Sequence, residues 1–262
     1  MPRAGPTQRG EIHGRGAGRQ HPPRGLGDSA QGSPMIRAVL FDFNGVIVDD
    51  EPVHLRLFQK VLKEEGVTLS KEDYYSKYLG MDDFDCFAAA AKDAGKAKAE
   101  DKVQEMIARK SKYYDEEMAT NTPFVPGVLD FIRALAPKYY LAVVSGALRR
   151  EIEMMLTRGK VRDAFSAVVA AEDIEHGKPD PEGYDKAMQL LNRDYVASAD
   201  LLLPAECLVF EDSIWGIEAA TAAGMPSVAV TTSFVPSALP GAKQYIQDFQ
   251  GLDPQVFLGK IA

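Results

Sequence analysis

Along residues 36–232, apolar residues fall alternately into short unbroken runs and longer amphipathic stretches. The run Ala38 to Phe41 is too short for a helix and has no polar face. It predicts a strand buried on both sides. Tyr139 to Val144, Ala167 to Ala171, Cys207 to Phe210 and Ser227 to Val230 repeat that form. Between them, apolar positions recur every three or four residues, the spacing of one helix face. One such helix opens at Pro126 and Gly127 and runs through Ala134, and another covers Leu148 to Leu156. A third runs to about Leu191, with Asp180 as N-cap and Pro181 in the first helical position. Ser213 caps a fourth, which stops at Gly224. Strands alternating with helices predict an α/β fold with a doubly wound parallel sheet.

Residues 51–120 break the alternation. Val53, Leu55, Leu57, Phe58, Val61 and Leu62 form one apolar stripe, with Gly66 as C-cap. Helical stretches follow at Glu72 to Leu79, Phe84 to Ala94 and about Ala99 to Met118, the last with Val103, Met106, Ile107 and Tyr114 facing inward. No strand pattern interrupts them. The expected organisation is a core of residues 35–50 and 121–262, with a helical domain inserted over residues 51–120. From Phe234 to Ala262, Pro and Gly punctuate the chain and no element is predicted.

Residues 1–34 are rich in Gly, Pro and Arg and poor in large apolar side chains. Such a segment cannot bury enough surface to offset its ordering entropy, so it reads as a disordered extension. It has no apolar stretch of the secretory kind; a transit segment and a binding tail are the functional alternatives.

At 262 residues the chain can bury a full α/β core. Its net charge of −8 gives no reason to expect a nucleic acid or a membrane surface as partner. Cys86 and Cys207 lack metal-ligand spacing and read as the reduced thiols of a cytoplasmic protein, expected to be monomeric. No apolar run is long enough to span a bilayer.

The candidate chemistry sits where strands end. Asp42 follows the first strand, with Gly45 three residues on. Ser145 and Gly146 follow the second. Lys178 lies in the loop before a helix, and Glu211 and Asp212 end a later strand. In a parallel sheet the carboxyl ends of the strands share one edge, where such folds bind ligands. These separated residues are therefore expected to converge.

In this order the motifs resemble those of the haloacid dehalogenase superfamily: Asp42-Phe-Asn-Gly-Val, then Val143-Val-Ser-Gly, Gly177-Lys-Pro-Asp-Pro, and Phe210-Glu-Asp-Ser with Gly216, Ala219 and Ala220 beyond. The resemblance covers about Met35 to Thr232 and is nearest to the β-phosphoglucomutase-like phosphatases. It implies a helical cap over residues 51–120 and phosphoryl transfer from a small phosphorylated metabolite. Asp42 is the implied nucleophile, forming an aspartyl-phosphate. The implied Mg²⁺ ligands are Asp42, the backbone carbonyl of Asn44, and Asp212, with Glu211 as a further ligand or water-holder. Ser145 and the Gly146 amide would hold phosphate oxygens, and Lys178 would neutralise the phosphoryl group and Asp42.

The chain departs from that pattern at Asn44, where relatives carry an Asp that protonates the leaving oxygen. An amide cannot exchange a proton in that way. Three readings follow. A phosphohydrolase could use a substitute acid, for which His54 is the candidate. A slow enzyme could act on good leaving groups. A phosphate-binding protein would turn over little. The dipeptide Asn44-Gly45 also invites deamidation to Asp. Within the helical segment, Asp83 stands where mutase relatives carry a phosphate-binding Arg, which argues against a bisphosphate mutase. Arg109 and Lys110 are candidates for the distal end of a substrate. The expectation is a Mg²⁺-dependent phosphohydrolase; a phosphosugar mutase and a phospholigand-binding module are the alternatives.

Overall fold

The computed structural model describes residues 35–261 apart from residues 80, 82 and 121. The expected disordered segment, and Gly80 and Asp82 of the loop before Asp83, lie outside the described residues.

Six parallel strands form one sheet in the order β3-β2-β1-β4-β5-β6. They are β1 (Ala38–Phe41), β2 (Tyr140–Val144), β3 (Ala167–Val169), β4 (Cys207–Glu211), β5 (Ser227–Val230) and β6 (Gln244–Ile246). The order runs outward from β1 through β2 and β3 on one side, and through β4, β5 and β6 on the other. The reversal point lies between β1 and β4, and Asp42 follows β1 there. All four residues of β1 are buried, as a strand covered on both faces requires.

The two faces differ in texture. Val39 and Phe41 point to one side with Val143 and Phe210, against α5 (Val128–Leu135), α6 (Arg149–Arg158) and α9 (Pro254–Leu258). Phe41 and Phe210 stack with ring centroids 5.2 Å apart, and Phe131 meets Phe210 edge-on. Ala38 and Leu40 point the other way with Ala142 and Val209, against α7 (Glu182–Asp194) and α8 (Ile214–Ala222). Ala219 and Ala220 let α8 lie close to the sheet, as expected of small residues there.

Between β1 and α5 come α1 (Glu51–Glu64), α2 (Lys71–Asp73), α3 (Asp83–Asp93) and α4 (Glu100–Thr120). Leu55, Phe58, Val61 and Leu62 of α1 join Phe87, Val103 and Met106 in a cluster of their own. Val53, Leu57 and Met118 pack instead with the sheet's core. The stripe on α1 therefore serves two cores, which the helical period alone does not distinguish.

Local differences from the pattern have identifiable causes. Glu72 to Leu79 is not one α-helix: α2 passes into a wider π-helical turn over Tyr74–Tyr78. Tyr74 and Tyr78 are buried there, bonded to Glu51 and Asp93. Helix α7 starts one residue later than expected, with Pro181 at the cap position. The Asp180 carboxylate still accepts from the Glu182 amide at 2.9 Å. The tail contains β6 and α9, which the sequence pattern missed. Strand β6 has three residues and buries only Ile246, too little for a period to show.

Candidate active site

Asp42 leaves β1 with 7 % of its surface exposed. The chain must then turn at once, and Gly45 allows it with φ of +73°. A Cβ at this glycine would lie 2.0 Å from an Asp212 carboxylate oxygen. The turn is thus pressed against the end of β4. The Gly45 carbonyl accepts from Thr232 Oγ1 at 2.6 Å, tying it also to the loop after β5.

Lys178 reaches this point from the loop before α7. Its Nζ donates to Asp42 Oδ1 at 2.6 Å, to Glu211 Oε1, and to the Val144 carbonyl at 3.3 Å. Ser145 follows β2 and is buried. Its Oγ accepts from the Ala147 amide at 3.1 Å, which leaves the hydroxyl hydrogen free to donate. Asp42, Asn44, Ser145, Gly146, Lys178 and Asp212 all line one cavity of about 630 Å³. The strand ends therefore meet, as the parallel topology requires.

The electrostatics of the cluster are unbalanced. Burial, opposed by Lys178 and reinforced by Glu211, pushes the Asp42 carboxyl up to about 6. Burial and the neighbouring Asp42 and Glu211 raise Asp212 well above the usual range. Burial alone would lower Lys178, but Asp42 and Glu211 reverse that and raise it. Carboxylate oxygens of Asp42, Glu211 and Asp212 lie within 4.8 Å of one another. Three buried carboxylates against one ammonium leave a surplus of two negative charges. Each close like-charged pair costs about 4 kcal/mol at intermediate dielectric. Hard oxygen donors and a surplus of two negative charges fit a divalent cation such as Mg²⁺.

Glu211 plays a different part from the other two. Its Oε1 accepts from Lys178 and from Tyr184 Oη at 2.6 Å. Its Oε2 accepts from the Asp212 and Ser213 amides and the Ser213 hydroxyl at 3.1–3.3 Å. With both oxygens engaged, it orients Lys178 and supplies charge. Asp42 and Asp212 line the cavity and Glu211 does not, so those two carboxylates are the ones a cation in the cavity would meet. A Cβ at Gly216 would fall 1.8 Å from the Glu211 carboxyl carbon, so that glycine is what lets α8 begin here.

Asn44 is held in a second network. Its Nδ2 donates to both oxygens of Asp50, at 3.0 and 3.1 Å. Asp50 is 1 % exposed and stands at the N-cap of α1, yet its side chain caps nothing. It accepts from Tyr114 Oη at 2.7 Å and lies 3.3 Å from His54 Nε2. Burial would raise its pKa, but hydrogen bonds from His54, Asn44 and Tyr114 lower it instead. His54 Nδ1 stands 2.9 Å from Lys110 Nζ. An ammonium only donates, so Nδ1 accepts and the proton is assigned to Nε2, facing Asp50. Both ring nitrogens are thereby occupied, and His54 is placed as a link in this chain with no free nitrogen for a substrate.

Lys110 lines the same cavity, 2 % exposed, but its charge is already turned to Asp83 Oδ1 at 2.5 Å. Arg109 does not line it; it pairs with Glu64 and Glu65. The turn also opposes deamidation of Asn44. The Gly45 nitrogen, which would have to attack the amide, donates to the Val48 carbonyl at 2.7 Å. Sequence reasoning overlooked Asp50, Tyr184 and Ser233, whose hydroxyl donates to Asp212. None of the three is singled out by the motifs, and each is brought to the site by packing.

Comparison with known proteins gives a consistent picture. The sequence model of the family described as haloacid dehalogenase-like hydrolase matches residues 39–230. The chain is similar to hexitol phosphatase B of Escherichia coli, 30 % identical over 200 residues, covering 74 % of this chain and 83 % of that protein. It is 26 % identical over 193 residues to the phosphorylated carbohydrates phosphatase of Thermotoga maritima, covering 74 % of this chain and 84 % of that protein. Among solved structures, a β-phosphoglucomutase from Clostridium difficile shares the fold with a TM-score of 0.68 at 22 % identity, covering 87 % and 97 % of the two chains.

Proposed function

From the premise that this chain belongs to the haloacid dehalogenase-like hydrolases, we propose that it hydrolyses small phosphate monoesters through Asp42. The observation that carries the reading is the meeting of Asp42, Lys178 and Asp212 at one cavity wall. An Asp42 oxygen attacks phosphorus, the bond from phosphorus to the alcohol oxygen breaks, and an aspartyl-phosphate forms. Water then attacks that phosphorus, which regenerates the carboxylate and releases inorganic phosphate. The related enzymes named for hexitol and phosphorylated carbohydrates support a phosphorylated sugar or polyol as substrate.

The roles follow from the contacts. Lys178 holds Asp42 in place and faces the charge carried by the phosphoryl oxygens. The Ser145 hydroxyl and Gly146 amide are the donors for those oxygens. Asp42, Asp212 and the Asn44 carbonyl would hold Mg²⁺, with Glu211 behind them; bound there, the ion offsets the repulsion between carboxylate and phosphate. Helices α1–α4 act as the cap, and Asp50, His54 and Lys110 connect it to the Asn44 turn.

The leaving oxygen must gain a proton. Asn44 cannot provide it, and His54 is engaged at both nitrogens. The proton therefore comes from water in the cavity, and alcohols that leave easily are hydrolysed fastest. General acid help is worth roughly 10²–10⁴ in rate, so turnover is slow on that scale. The test is phosphate release in the presence of Mg²⁺. Release abolished by Asp42→Asn supports the reading; release that survives it ends the reading. Formation of a phosphate isomer without net phosphate release would show the mutase alternative instead.

A further inference from the structure

We propose that the helix-lined part of this cavity disfavours leaving groups with a second anion, and favours an alcohol that carries a protonated amine. The proposal rests on the phosphatase reading and adds to it the charge of the substrate. Beyond the strand ends, the cavity is lined from α1 and the residue before it and from α3, α4 and α6. Five carboxylates line that part: Asp50, Glu51, Asp83, Asp115 and Glu151. Two permanent cations share it, Lys110 and Arg150, which leaves a surplus of three negative charges. Both already face acids, Lys110 closely and Arg150 at longer range. Lys110 is bonded to Asp83 at 2.5 Å and to His54 at 2.9 Å. Arg150 lies between Asp115 at 3.9 Å and Glu151 at 3.7 Å.

A second phosphate or a carboxylate on the leaving group would therefore meet that surplus of acids, with Lys110 already bonded and Arg150 flanked by two of them. Hydroxyls can donate to those acids, and an ammonium gains in addition from charge. The rim points the same way. Trp215, 42 % exposed, packs edge-on with Phe234 at a centroid distance of 6.3 Å, and both line the cavity. Aromatic faces attract cations and the apolar faces of sugars, and offer nothing to an anion.

The experiment compares kcat/KM, with Mg²⁺ present, for glucose 6-phosphate, glucosamine 6-phosphate, 6-phosphogluconate and glucose 1,6-bisphosphate. Where turnover is too slow to follow, inhibition constants against p-nitrophenyl phosphate give the same ranking. The amine-bearing ester should rank first, the neutral one next, and the two anionic ones about tenfold or more below. Asp115→Lys, at an exposed position, should narrow that gap about threefold or more. A bisphosphate or phosphogluconate that ranks level with the neutral ester overturns the proposal. So does a ranking that Asp115→Lys does not move. Release from p-nitrophenyl phosphate without any charge preference removes this inference alone. No phosphate release from any of the five compounds removes the phosphatase reading and this inference with it.

Discussion

At the scale of single residues, the site turns on an amide and a glycine. Asn44 is bonded through Nδ2 to both oxygens of Asp50, so it is a fixed hydrogen-bonding group with no proton to give. Asn44→Asp supplies the missing acid, and turnover on an alkyl phosphate should rise about 10²-fold or more. The gain should shrink for p-nitrophenyl phosphate, whose leaving group hardly needs protonation. Equal gains on both substrates would contradict the solvent-proton mechanism. Gly216 is a structural counterpart. Gly216→Ala drives a methyl into the Glu211 carboxyl and should cost about 1–3 kcal/mol in chemical denaturation. It should also lower kcat, because Glu211 holds Lys178. Both glycines stand in motifs, and Gly216 is expected from the sequence to let its helix approach the sheet; only packing shows that the group it makes room for is the Glu211 carboxyl.

At the scale of elements, α1 and α4 are joined at their solvent side by Glu65, just past the end of α1. Arg109 and Lys98 reach it at 2.5 and 3.2 Å, and Lys102 at 3.4 Å. The Arg109 guanidinium, against the opposing effect of partial burial and aided by Lys98 and Lys102, holds Glu65 down at about 2, from an ordinary 4.5. A depressed acid stabilises the fold fully above its unfolded pKa and loses that contribution as pH falls through its folded one. Glu65→Gln should therefore lower stability above pH 4.5 and match the parent near pH 2. Solvent screening limits the difference to about 1 kcal/mol. Thermal melts of the two proteins across that range measure it, and a difference that persists at pH 2 would assign it to packing. Helix periods located α1, α3 and α4 of this segment, and took α2 and the π-helical turn after it for one helix. They did not reveal that Lys110 would be buried, since its partners Asp83 and His54 lie on other helices.

At the scale of the molecule, the fold and the site share one electrostatic problem. Asp42 is raised to about 6 from 3.8 by burial, opposed by Lys178 and reinforced by Glu211. An acid raised on folding binds its proton more tightly in the native state, so stability falls as pH rises between those two values. The cation-free protein should lose up to about 3 kcal/mol across that window from Asp42 alone. Magnesium at pH 7 should restore stability, by about 2.7 kcal/mol at a hundredfold excess over its Kd. A melting temperature that ignores both pH and Mg²⁺ would count against a cation at Asp42 and Asp212. What the sequence determined unaided was local or repetitive: five strands and most helices from their periods, and the ordered strand-end residues from the parallel topology those periods imply. Tertiary structure alone decided which charges remain free. Whether Lys110 and His54 face a substrate or each other, and whether Glu211 binds a cation or braces Lys178, depends on distances between side chains far apart in the chain. Periodicity records which face a residue occupies, and carries no information about the partner that meets it there.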